Sequence, residues 1–223
     1  MSSARLFGKM LRVVAGKPML AYVVERLQRV RNVAGVIVAT SDEASDDPIA
    51  EMCAVLGVKC LRGDLTDVAG RFLTVVETEK LGSFVRISGD SPMIDPLIVE
   101  RAVSIYTKGC CDLVSNIVER TFPKGQSVEV VRASSFSAAL SNMTSSYDRE
   151  HVTPFMYRDM QSFAVCGFTM QPNRSHVQLS VDTQGDFDIF QSIVAKMDKP
   201  HWAYGMDELI ALHDQIIAQG VVA

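Results

Sequence analysis

The sequence has no run approaching the ~18 apolar residues of a membrane span, and its first residues carry no signal-peptide core. It contains no C-x-x-C pair. Its five cysteines, Cys53, Cys60, Cys110, Cys111 and Cys166, are odd in number, and two of them are adjacent. That pattern argues against a disulfide framework and against a zinc site, and predicts small buried thiols in a reducing compartment. Basic residues are in deficit, with 22 Lys and Arg against 26 Asp and Glu and a net charge of −4. Proteins that live by neutralising nucleic-acid phosphates show the opposite balance, so DNA and RNA are poor partners, although a small anion needs only a local cluster of donors. Fourteen glycines and eight prolines in 223 residues are too few for a low-complexity chain, where the two reach roughly 25–30%. The reading left is one cytoplasmic domain over residues 1–223, touching neither membrane nor nucleic acid.

Apolar runs alternate with helical patterns along the chain. Residues 33–40 (VAGVIVAT), 83–88 (SFVRIS), 111–115 (CDLVS) and 177–181 (VQLSV) are apolar on both faces, as buried parallel strands must be. Between them, residues 19–29, 47–56, 67–79, 95–108 and 186–197 carry helical periodicity. This rhythm predicts an α/β fold with a doubly wound, mostly parallel sheet. Residues 118–170 break it and are expected to form an inserted β-rich excursion whose apolar strands pair two subunits.

In an open α/β sheet, ligands lie beyond the carboxyl ends of the strands. Four places there attract attention. The loop 2–9 (SSARLFGK) has small residues that let amides approach phosphate, with Arg5 and Lys9 as counter-charges. Residues 89–96 (GDSPMIDP) follow a strand directly; Asp95 is expected to cap a helix opened by Pro96, which leaves Asp90 at the crevice. Asp182 follows another strand, with Thr183 and Asp186 spaced as a capping box. Asp90 and Asp182 are either ordinary turn residues or the pair of carboxylates that holds Mg²⁺ beside nucleotide phosphates. Arg149, Glu150 and His151 form a charged triplet expected to head a helix.

These residues carry a resemblance. Residues 3–11 resemble S-x-R-L-P-G-K-x-L, and 86–96 (RISGDSPMIDP) resemble R-I-T-G-D-C-P-L-I-D-P. Both motifs belong to the cytidylyltransferases that activate acidic sugars, in the acylneuraminate and spore-coat-polysaccharide branch. Residues 15–20 (AGKPML), 38–42 (VATSD), 67–72 (DVAGRF), 120–123 (RTFP), 149–154 (REHVTP) and 181–183 (VDT) follow in the family's order.

The resemblance implies a Rossmann-like nucleotidyltransferase that uses CTP and Mg²⁺ to make a CMP-sugar, and a homodimer. By position, Ser3, Arg5 and Lys9 bind the triphosphate, with Arg5, Lys9 and Asp90 catalytic. Ser41, Asp67 and Arg71 lie at cytosine and ribose, and Asp90 and Asp182 ligate the metal. Arg120, Glu129, Arg149, Glu150 and His151 line the sugar side. The sequence departs from the family at Phe7, where proline is usual, and at Lys124, Gln126 and Ser127, which bear on sugar identity. The family's apolar first strand, central in such a sheet, is also missing ahead of the loop. The competing expectation is a dimeric nucleotide-binding protein without turnover. A glycosyltransferase is disfavoured because Asp90 is followed by Ser91 and Pro92 rather than by an Asp-x-Asp.

Overall fold

A computed structural model describes residues 6–220. In chain order the elements are β1 (Val13–Val14), β2 (Lys17–Pro18), α1 (Met19–Leu27), β3 (Ile37–Ser41), α2 (Asp47–Val55), β4 (Lys59–Gly63) and α3 (Val68–Thr78). There follow β5 (Ser83–Arg86), α4 (Pro96–Lys108), β6 (Leu113–Ser115), β7 (Glu129–Arg132), α5 (Ala133–Asn142) and α6 (Ser146–His151). The chain continues through α7 (Pro154–Arg158), β8 (Val165–Gly167), α8 (Gln184–Ala195) and α9 (Met206–Ala218). Three helix starts follow their caps. Asp67 accepts from the Gly70 amide at 2.9 Å, and Asp95 accepts from Leu97 at 2.8 Å with Pro96 behind it. Thr183 and Asp186 form the expected capping box.

The α/β reading holds, and its strand directions are mixed. β3 pairs in parallel with β4; the larger sheet runs β5-β7-β6-β8, with β7 antiparallel to β5 and β6, and β8 parallel to β6. β1 and β2 form a small antiparallel hairpin. The stretch 118–170 gives two strands to the main sheet and also three helices, so it is a mixed segment rather than a β-rich one. β7 is bonded along both edges, which removes the exposed-edge argument for it; β8 is the outer strand. Residues 177–181 make one isolated bridge, Lys124 to Gln178, instead of a strand. Their amides and carbonyls bond to Lys124 on one side and to Asp90 on the other, which holds them extended without a ladder.

Both sheets share the same helical layers. Val38 and Cys60 of β3 and β4, and Val85 with Ile87 beside β5, pack against one cluster that contains Leu20, Val23, Ile49, Cys53 and Ile98. On the other face, Phe72 of α3 meets Phe84 of β5 at 5.5 Å. Among the described residues β3 bonds to β4 alone and β5 to β7 alone, so the sheet is interrupted between them.

A buried cation ties the layers together. Arg26 is 0% exposed and donates to the carbonyls of Ile94 (2.5 Å), Tyr204 (2.6 Å) and His201. Burial lowers its pKa to about 10. The expectation of free cysteines is corrected at one pair. Cys111, just before β6, and Cys166, in β8, are disulfide-bonded across 55 residues, because the parallel pairing brings their Cα atoms to 6.0 Å. Cys53, Cys60 and Cys110 are free thiols.

Candidate active site

Two loops beyond the strand ends are fastened to one another. The amide of Val181 donates to the carbonyl of Asp90 at 2.8 Å, so the two candidate carboxylates become neighbours although they stand 92 positions apart in the sequence. Gly89 fits because a Cβ there would approach Met10 Sδ at 3.2 Å. The Asp182 amide donates to the α8 cap residue Asp186 at 3.0 Å, which fixes its backbone.

Lys9 lies between these carboxylates. It follows Gly8, whose φ of +66° suits glycine, and its amide closes a turn on the carbonyl of buried Leu6 at 3.3 Å. Its ammonium donates to Val181 O at 2.8 Å, Asp182 Oδ1 at 3.2 Å and Asp90 Oδ2 at 3.3 Å. The Lys9 side chain is 8% exposed, while those of Asp90 and Asp182 are 24% and 27% exposed. Phe7, in place of the family's proline, is exposed to solvent and leaves the turn unobstructed. Ser3 and Arg5 lie outside the described residues.

Among the described residues no three His, Cys, Asp or Glu side chains gather to hold a metal on their own. Two carboxylates at a crevice still fit Mg²⁺. That ion keeps several waters and commonly takes one or two protein carboxylates, the rest of its shell coming from substrate phosphate.

A second cluster surrounds the ends of β3 and β4. Ser41 is fully buried. Its amide and hydroxyl donate to Asp46 Oδ2 at 3.0 and 2.6 Å, and Thr40 Oγ1 joins them at 2.7 Å. Ser41 therefore shapes the strand end from beneath. Burial would raise the Asp46 pKa, but hydrogen bonds to its carboxyl, those from Ser41 and Thr40 among them, outweigh it and hold the carboxyl well below the usual range. Arg71, one turn into α3, is half-buried near Asp46, Asp64, Asp42 and Asp67, and its Nε has no partner. Burial lowers its pKa, and these four carboxylates oppose the shift.

The residues expected at the sugar side divide three ways. Glu129, 2% exposed, accepts from Arg86 at 2.5 Å and from Thr153 and Tyr157, each at 2.7 Å. Burial, then the Glu129 charge, pushes the Tyr157 phenol far above its ordinary range. Arg149 reaches Asp67 at 3.2 Å and so joins the second cluster. Glu150 and His151 are exposed, His151 stacking edge-on against Tyr147 at 4.3 Å, and Arg120 is exposed beside Ser127 at 3.3 Å. The Arg149–Glu150–His151 triplet closes α6 instead of heading a helix, because Ser145 caps that helix and Val152 ends it at φ +76°. Such a φ is strained for a β-branched residue. Gln126, expected to bear on the sugar, is fully buried. Its side chain bonds Asp95 N and Met93 O and so braces the Asp90 loop.

The cytidylyltransferase family model matches residues 1–213. The chain belongs to this family. An uncharacterised protein of Methanocaldococcus jannaschii is 31% identical over 200 residues, covering 88% of this chain and 80% of its own length. The spore coat polysaccharide biosynthesis protein SpsF of Bacillus subtilis is 27% identical over 205 residues, covering 88% and 83%. A solved cytidylyltransferase from Leptospira borgpetersenii superposes with a TM-score of 0.92 at 26% identity, over all of this chain and 92% of that one. The CMP:2-keto-3-deoxy-manno-octonic acid synthetase solved with CTP shares the fold, with a TM-score of 0.68 at 18% identity over 87% and 94%. This cytidylyltransferase is a nucleotidyltransferase. Arg86, Asp46, Thr153 and Tyr157 were not singled out from the sequence as site residues. Arg86 and Thr153 lie inside matched motifs, and that was the available signal.

Proposed function

We propose that this chain transfers CMP from CTP to an acidic sugar in a Mg²⁺-dependent reaction. A sugar hydroxyl oxygen bonds to the α-phosphorus, the bond from that phosphorus to the bridging oxygen of the β-phosphate breaks, and pyrophosphate leaves. The hydroxyl proton passes to solvent or a nearby base. The observation that carries this reading is the meeting of Lys9, Asp90 and Asp182 at the ends of the strands. Asp90 and Asp182 would hold Mg²⁺, which when bound lowers repulsion between the nucleophile and the triphosphate. Lys9 would neutralise phosphate charge, and Arg5 would assist it. The catalytic effect is positioning plus charge stabilisation. The cluster of Asp67, Arg71 and Arg149 would shape the nucleoside side, and exposed Arg120 is suited to clamp a sugar carboxylate.

A homodimer belongs to the same proposal. Exposed Val118, Tyr147 and Met160, together with the outer edge of β8, support an interface on segment 118–170. No helix among the described residues is long and apolar enough to cross a membrane.

Pyrophosphate release should be followed with each of the four nucleoside triphosphates against a panel of nonulosonic and octulosonic acids. Release with CTP and one of these acids is the expected result. Binding of CTP with no release from any acid would favour a nucleotide-binding protein without turnover.

A further inference from the structure

We propose that Lys9 holds the place of the divalent cation in the nucleotide-free protein, so that metal is admitted only together with the triphosphate. The inference rests on the reading of this rim as a CTP and metal site, and it concerns the order in which the two arrive.

The Lys9 ammonium has three N–H donors, and three acceptors meet them: Val181 O, Asp182 Oδ1 and Asp90 Oδ2, at 2.8 to 3.3 Å. The positions are set by backbone rather than by chance contact. Val181 N is bonded to Asp90 O, Asp182 N to the α8 cap, and Lys9 N to buried Leu6. The 8% exposure of the Lys9 side chain leaves little water to screen its charge. The Lys9 charge thus already lies between both carboxylates. A second cation entering there would meet a like charge within a few ångströms, in surroundings where such repulsion is strong.

Lysine suits this arrangement because its charge sits on a flexible stem with rotatable donors. A triphosphate brings several negative charges to the same rim, drawing the ammonium off the carboxylates and onto phosphate oxygen. Lys9 then no longer bridges Asp90 and Asp182, and both carboxylates can turn toward metal. An empty acidic pair would capture any passing divalent ion; the lysine makes the pair accept metal only when substrate is there.

The test is binding of Mn²⁺ alone to the whole protein, followed by the electron paramagnetic resonance of free Mn²⁺, with and without a non-hydrolysable CTP analogue. Without nucleotide, Lys9→Gln should bind Mn²⁺ at least about tenfold more tightly than the unsubstituted protein. With the analogue present, that gap should close. Lys9→Met serves equally if Lys9→Gln does not fold. Equal nucleotide-free affinities overturn the proposal. So does tight nucleotide-free Mn²⁺ binding by the unsubstituted protein, a result that needs no variant. Asp90→Asn with Asp182→Asn reports on the underlying reading separately. Analogue-dependent Mn²⁺ binding that survives this double substitution removes the metal from these carboxylates altogether.

Discussion

The two flanks of the rim are built in opposite ways. On the Lys9 flank, the charged groups already bond to one another, and backbone hydrogen bonds hold the loops that carry them. On the Arg120 flank, the charges are either locked inside the fold, as Glu129 is by Arg86, Thr153 and Tyr157, or left in solvent, as Glu150 and His151 are. The first arrangement is preorganised, which under the proposed function suits a ligand of fixed shape, the triphosphate. The second provides a buried floor with exposed side chains above it, which under the proposed function suits a surface where different sugars are distinguished by few contacts.

The largest expected effect tests the preorganised flank. Asp90→Asn and Asp182→Asn should each lower turnover by at least about a hundredfold with the melting transition unchanged. Near-normal turnover of either variant would take that carboxylate out of the site.

Next comes the floor of the other flank. Glu129→Ala strips the buried acceptor from Arg86, Thr153 and Tyr157 and should cost about 3 kcal/mol in urea unfolding. A loss under about 0.5 kcal/mol would mean that Glu129 is not part of the framework.

The third prediction concerns pH at the cluster around the ends of β3 and β4. Because the folded pKa of Asp46 is depressed, its contribution to stability is complete above the unfolded carboxyl pKa of about 3.9 and is lost as pH falls toward the folded value. Asp46→Asn should therefore flatten the decline in melting temperature between pH 5 and pH 3, to the extent of about one group. An unaltered slope would contradict the assignment. Smallest for the fold is Arg120→Ala. It should raise the KM for the acidic sugar by roughly tenfold and leave stability within about 0.5 kcal/mol. An unchanged KM would show that the sugar carboxylate binds elsewhere.

Helix starts were legible in the sequence because a cap is a local event: Asp95 with Pro96, and Thr183 with Asp186, carry their partners within a few residues. Strand direction was not. β7 reads as an apolar run whichever way it points, and only the pairing with β5 and β6 on either side reveals it as antiparallel. β4, with Lys59 and Arg62 in five residues, offered only Cys60 and Leu61 as apolar positions, too few to stand out. The motifs placed Asp90, Asp182 and Lys9 at one rim, and the fold brings them together. Motif position says little about which way a side chain faces, and so Ser41, Glu129 and Gln126 turned out to be buried braces. The Cys111–Cys166 bond was likewise hidden, since the two cysteines stand 55 residues apart and meet only through the pairing of β6 with β8.

The central claim is that triphosphate and metal meet at Lys9, Asp90 and Asp182. A crystal of the protein grown with Mn²⁺ and a non-hydrolysable CTP analogue tests it directly through the anomalous signal of manganese. The account predicts one manganese peak bonded to carboxylate oxygens of both Asp90 and Asp182, with the Lys9 ammonium moved onto phosphate oxygen. A manganese peak away from those two residues, or a Lys9 still seated between them with nucleotide bound, would contradict it.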